Sequence, residues 1–124
     1  GPLAGLSNLE SLFLDHNQVT DLKPLSKCLN LRVLYLDQNR INDLKPLGNL
    51  KNLRVLHLWR NQIDNIDAIR NLNTLERLDL FGNRITNLHP LLNLKELRKL
   101  DLSHNQLEDL RPLSGLKKLK TLNF

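Results

Sequence analysis

Apolar positions along the chain follow two spacings that alternate. In Leu12 and Leu14, Leu34 and Leu36, Leu56 and Leu58, Leu78 and Leu80, and Leu100 and Leu102 the leucines are two apart, the period of a strand with one buried face. Between these segments the spacing widens to three, as in Leu47, Leu50 and Leu53, which places eclipsed side chains on one face of a short 3₁₀ turn. Each strand-like segment is followed by an asparagine, and Asn17, Asn39, Asn61, Asn83 and Asn105 stand 22 residues apart. The longest apolar run is Val33 to Leu36, far short of the roughly 20 residues of a membrane helix, so no insertion into a membrane is expected. Gly1-Pro2 opens straight onto this interrupted pattern, with none of the build of a signal peptide.

Aligned on the asparagines, the chain repeats one frame, L-x-x-L-x-L-x-x-N. It reads Leu9, Leu12, Leu14, Asn17, then Leu31, Leu34, Leu36, Asn39, then Leu53, Leu56, Leu58, Asn61. It continues through Leu75, Leu78, Leu80, Asn83 and Leu97, Leu100, Leu102, Asn105, and a sixth copy begins at Leu119 and Leu122. A period held over the whole chain fixes the architecture before any single residue is weighed. The paired leucines point inward from a short strand and the residues between them face outward. Each asparagine sits where the chain leaves the strand, and its amide is expected to bond the backbone of that turn and of the next coil. Asp21, Asp43, Asn65, Asn87 and Asp109 form a second column four residues on, read as turn acceptors and not as a metal site. Pro24, Pro46, Pro90 and Pro112, with Ala68 in the same slot, suit the opening position of a 3₁₀ turn, whose N–H has no internal partner. Seven aliphatics per coil, at about 2 kcal/mol each, do not offset about 1 to 2 kcal/mol per residue for ordering 22 residues, so a coil folds only against its neighbours.

These frames identify the chain as a member of the leucine-rich repeat superfamily, in its 22-residue class. The run Asn17-Gln18-Val19-Thr20-Asp21-Leu22-Lys23-Pro24-Leu25, and its copy from Asn39 to Leu47, resemble bacterial internalins. Nuclear phosphatase-regulator proteins share the period but are poorer in the Asp-Leu-x-Pro-Leu element. Ala68 in place of proline, and Lys23, Arg70 and Lys95 at positions that are usually Thr or Asn rich, depart from the internalin pattern. The resemblance implies an α/β leucine-rich repeat solenoid, curved, with a parallel sheet on its concave face and short 3₁₀ or irregular turns on its convex face. It also implies binding of another protein on the concave face, and a cell-surface or secreted location if the likeness to internalins holds, a cytoplasmic one otherwise. The chain reads as one domain, residues 1–124, of about five and a half repeats. Leu3 aligns with Leu25 and Phe124 with Leu102, so both ends cut through a coil. The expectation is an uncapped fragment of a longer protein, open to self-association through its ends.

Composition sharpens this picture in three places. There are 34 Leu and 16 Asn but one cysteine, Cys28, which excludes a disulfide framework and fills a slot that holds leucine in other coils. The net charge of +5 raises nucleic acid as a partner. On the outward strand positions, however, Arg32, Arg54, Arg60, Arg77, Arg98, Lys99 and Lys120 face Glu10, Asp15, Asp37, Glu76, Asp79 and Asp101. The basic excess therefore lies mostly on the edges and the back, and no nucleic acid is expected as the partner.

Four of the five aromatic residues occupy outward strand positions. Phe13, Tyr35 and His57 share one column across successive strands, and Trp59 and Phe81 share the next, so a continuous diagonal stripe is expected, with strands about 4.8 Å apart. Stacking across strands for its own sake is the bland alternative. Large amphipathic rings are also what protein interfaces use as anchors, and Asp37, Arg60, Arg77, Asp79 and Asp101 stand around them as a charged rim. The candidate protein-binding set is thus Phe13, Tyr35, Asp37, His57, Trp59, Arg60, Arg77, Asp79, Phe81 and Asp101. Catalysis finds no support: no glycine-rich loop follows a strand, and His16, His57 and His104 fall on alternate strands, about 10 Å apart, too far to share a metal. No enzyme activity, cofactor or metal is expected. The leading reading is a protein-interaction module using the aromatic stripe, followed by a self-associating structural spacer and then by a regulator of a phosphatase or signalling enzyme.

Overall fold

Each strand-like segment becomes a strand of three residues. In the computed structural model, which describes residues 6–124, these are β1 (Ser11–Phe13), β2 (Val33–Tyr35), β3 (Val55–His57), β4 (Arg77–Asp79), β5 (Lys99–Asp101) and β6 (Thr121–Asn123). They form one open parallel sheet in sequence order. The register keeps every residue beside its counterpart one repeat later: Leu12 pairs with Leu34, Leu34 with Leu56, and Leu56 with Leu78. Because side chains alternate across a strand, this register stacks all the central leucines on one side. Leu34, Leu56, Leu78 and Leu100 are buried there, as are Leu36, Leu58, Leu80 and Leu102.

The return path is a 3₁₀ turn in every complete coil, at Lys23–Leu25, Lys45–Leu47, Asp67–Ile69, His89–Leu91 and Arg111–Leu113. Proline is the second residue of four of them, one place later than expected, and Asp67–Ile69 forms with alanine in that slot. Proline thus presets the turn, but the buried aliphatics at spacing three hold it. The five-membered Asx column does what its position predicts: Asp21, Asp43, Asn65, Asn87 and Asp109 each accept the backbone N–H two residues on, at 2.8–3.0 Å. Cys28 is fully buried in the leucine slot.

The asparagine ladder differs from expectation in direction. Asn61 donates to the carbonyls of Leu58 and Leu36 and accepts the N–H of Ile41. Two of its three bonds reach the preceding coil, not the next one. Asn39, Asn83 and Asn105 repeat the arrangement, whereas among the described residues Asn17 bonds only Leu14 and Asp15, in its own coil. Gly1-Pro2 and Leu3, whose alignment suggests a cut coil, lie outside the described residues. Among the described residues no helix is long and apolar enough to cross a membrane.

Candidate protein-binding face

The outward side of the sheet carries two columns of side chains that exchange chemistry halfway along. One column, at the last residue of each strand, reads Phe13, Tyr35, His57, Asp79, Asp101; the other, two residues on, reads Asp15, Asp37, Trp59, Phe81, Ser103. The second column changes from carboxylate to ring between the coils of β2 and β3, and the first from ring to carboxylate between β3 and β4.

Backbone hydrogen bonding explains the crossing. On leaving the strand, Leu14 and His16 donate their N–H groups to Tyr35 and Asp37 carbonyls of the next coil, and later coils do the same. The N–H between them points the other way, where a carboxylate receives it. Asp15 accepts from Asp37 at 2.8 Å and Asp37 from Trp59 at 2.9 Å, each across one repeat. A ring at position 59 or 81 offers the following coil no such acceptor. There the carboxylate moves into the strand itself: Asp79 accepts the N–H of Phe81 at 3.0 Å and Asp101 that of Ser103 at 2.9 Å. A buried N–H without an acceptor costs about 1–3 kcal/mol, so aspartate appears in the strand of the coil that follows wherever an aromatic residue occupies the acceptor position.

The rings form two stacks and not an unbroken stripe. In the first, Phe13 meets Tyr35 edge-on at 4.9 Å and Tyr35 lies flat on His57 at 4.1 Å. In the second, Trp59 meets Phe81 at 6.3 Å and Phe81 meets His104 at 4.8 Å. Among the described residues no ring contact joins the two stacks. Asp37 joins them: its carboxylate holds the Trp59 N–H and stands 3.6 Å from His57 Nδ1. Asp37 is 4 % exposed, so it lies beneath the rings and not on the solvated rim that its column position suggests.

Arg60 leans over the second stack, its guanidinium carbon 5.4 Å from the Trp59 ring and 6.0 Å from Phe81. Its place depends on Gly82, where a side-chain carbon would sit 3.1 Å from Arg60 Cγ. The same turn position has positive φ in every complete coil, at His16, Gln38, Arg60, Gly82 and His104. His104 and Gly82 are contributions the sequence reading missed; the signal was their place one column beyond Phe81 and Trp59, beside the rings on the next coil.

Past the first stack the face opens into a shallow groove of about 240 Å³, lined by Tyr35, His57, Arg77, Asp79, Lys99 and Asp101 with Thr121 and Asn123 at its far end. Burial pushes the Asp79 carboxyl above the ordinary range, with a smaller push from the Asp101 charge, against the pull of its bond from Phe81. Of the residues singled out from sequence, Tyr35, His57, Arg77, Asp79 and Asp101 meet at this groove, while Trp59, Phe81 and Arg60 form the neighbouring stack and Phe13, 61 % exposed, stands at the other end of the face. Among the described residues no group of three His, Cys, Asp or Glu side chains is placed to hold a metal.

The model of tandem leucine-rich repeats matches residues 7–49, 29–71, 73–114 and 95–124. A search of curated proteins returned no significant match. Among solved structures, the internalin InlF from Listeria monocytogenes is 34 % identical with a TM-score of 0.96, over 99 % of this chain and 37 % of that one. The internalin InlC2 of the same organism is 36 % identical with a TM-score of 0.92, over 98 % of this chain and 54 % of that one. The ectodomain of the Arabidopsis thaliana receptor kinase SOBIR1, 23 % identical with a TM-score of 0.79 over 91 % of this chain and 66 % of that one, shares the fold. The chain therefore spans between about a third and a little over half of the internalins it matches. A 22-residue frame matched along the chain, an open parallel sheet with 3₁₀ returns, and these likenesses together make the chain a member of the leucine-rich repeat family, with internalin-like repeats.

Proposed function

We propose that the chain is a protein-interaction module that binds a protein partner through the aromatic residues of its sheet face. Membership of the leucine-rich repeat family supports a non-catalytic, protein-binding scaffold in general. The observation that carries the finer reading is the pair of ring stacks, Phe13–Tyr35–His57 and Trp59–Phe81–His104, held at the outward surface of a rigid sheet. Rings fixed by backbone and carboxylate lose little freedom on binding, and about 150 to 250 Å² per ring makes four aromatics a large share of the roughly 800 Å² that one partner contributes to a standard interface. The charges around them supply the polar rim.

The test is the affinity of a partner for the Trp59→Ala and Phe81→Ala double variant, beside a control with two lysines of the convex face replaced. A loss of about 2 kcal/mol or more, roughly thirtyfold, is expected for the ring variant and less than twofold for the control. An unchanged affinity in a folded ring variant overturns the reading.

A further inference from the structure

Arg77, Asp79, Lys99 and Asp101 line the groove together and have no ion-pair partner among the described residues, unlike Glu10, Arg32, Arg54, Glu76 and Arg98 of the same face. In the column before them Glu76 stands 3.6 Å from Arg98 and 4.0 Å from Arg54, and Glu10 stands 4.0 Å from Arg32. In that column every charge except Lys120 has an opposite charge beside it. The four groove residues instead form two rows, because Arg77 lies beside Lys99 and Asp79 beside Asp101 in the strand register. Neighbours within a row are about 4.8 Å apart and the two rows about 6.6 Å apart. Each aspartate uses one oxygen on a backbone N–H, Phe81 for Asp79 and Ser103 for Asp101. Asp79 carries a penalty from burial and from its neighbour's charge that its bond from Phe81 offsets only in part, and the groove beside it has room for a side chain, with the flat Tyr35–His57 stack as a wall.

Resting on the protein-binding reading above, we propose that this groove takes an extended segment of the partner that presents a basic residue to Asp79 and Asp101 and, two positions along, an acidic residue to Arg77 and Lys99. The argument is charge complementarity at matched spacing. Residues i and i+2 of an extended chain lie on one face about 6.6 Å apart, the separation of the two rows. A lysine or arginine between the carboxylates relieves the repulsion within the pair, and its apolar stem has the ring wall to lie against. A uniformly acidic segment leaves the aspartates opposed by like charge, and a uniformly basic one does the same to Arg77 and Lys99. The groove therefore selects a mixed pair and rejects single-sign polymers, nucleic acid included.

The probe is the blocked peptide acetyl-Thr-Glu-Thr-Lys-Thr-amide, titrated into the full chain and followed through backbone amide chemical shifts. Controls replace its lysine by norleucine, place Glu and Lys next to each other, or make both residues Glu. The protein variant is Asp79→Asn with Asp101→Asn, whose amide oxygens still accept the Phe81 and Ser103 N–H groups. Saturable shifts at Arg77, Asp79, Lys99 and Asp101 are expected, with affinity at least tenfold weaker for each control peptide and for the double variant. Absence of saturable shifts in the wild-type chain, equal affinity for the norleucine peptide, or tighter binding of the all-acidic peptide or of a thymidine oligonucleotide overturns the proposal. Each of these failures leaves the aromatic reading standing, because that reading is decided by the Trp59 and Phe81 variant against a whole partner.

Discussion

The carboxylate of Asp37 accepts the backbone N–H of Trp59, one repeat further along, at 2.9 Å. One coil later Asp79 performs the same service for Phe81 from within its own strand. The face that presents the rings is thus built on a line of carboxylates, and several of the charges that surround the rings are part of the framework.

If that is so, the acceptor matters more at Asp37 than the charge. Asp37→Ala leaves a part-buried Trp59 N–H without its partner and is expected to cost about 1–3 kcal/mol, whereas Asp37→Asn keeps an acceptor and costs less. Urea unfolding of the two variants separates them; equal losses would mean that the bond to Trp59 is incidental.

The asparagine ladder predicts a gradient along the solenoid. Asn61 is buried and ties its own turn to the preceding coil through three bonds, so Asn61→Ala is expected to cost at least about 2 kcal/mol. Asn17 is exposed and, among the described residues, bonds only its own coil, so Asn17→Ala is expected to cost under about 1 kcal/mol. Denaturant midpoints at equal slope measure both, and similar losses would show that the links between coils contribute nothing.

Acid should act on Asp79 in an unusual direction. Burial, then the Asp101 charge, raise its folded pKa above the unfolded value. Protonation therefore favours the folded state, and the stability associated with the neutral carboxyl is present below the unfolded pKa and lost as pH rises through the folded one. Asp79→Asn fixes the neutral state and keeps the acceptor for Phe81. Its stability relative to the wild type is expected to be more favourable at pH 7 than at pH 3, read from thermal midpoints at the two pH values. A difference independent of pH would contradict the assignment.

Gly82 illustrates a position where the missing side chain serves a neighbour. Four other coils place His16, Gln38, Arg60 and His104 at the same positive φ, so the backbone alone does not require glycine there. The side-chain carbon of Gly82→Ala would meet Arg60 Cγ. A loss greater than the about 1 kcal/mol of the left-handed backbone alone is expected, together with a change in the emission of Trp59, the only tryptophan, as Arg60 is pushed from the rings. In an Arg60→Ala background the loss should shrink. The same loss in both backgrounds would place the whole cost in the backbone.

The frame of leucines and asparagines made the architecture legible because each slot repeats five times over and the inward and outward positions follow from a period of two. The turn acceptors from Asp21 to Asp109 were legible for the same reason. Two features were not. The direction of the Asn61 bonds depends on which carbonyls the stacked coils leave open, which no single repeat contains. Asp37, Asp79 and Asp101 read as rim charges because an outward column position suggests solvent; their hold on the Trp59, Phe81 and Ser103 N–H groups appears only when the two columns are compared across coils. The signal was present as the replacement of Asp37 by Trp59 in one column and of His57 by Asp79 in the other, one coil later. It also explains why the expected stripe is divided, since Asp37 stands beneath the step from His57 to Trp59.

The central claim, that a protein partner covers these rings, is tested most directly by quenching of Trp59 fluorescence with acrylamide in the free chain and at saturation with a partner free of tryptophan. Trp59 is part-exposed on the sheet face, and burial in the interface is expected to lower the quenching constant severalfold. A quenching constant unchanged at full occupancy would place the partner elsewhere on the solenoid and contradict the account.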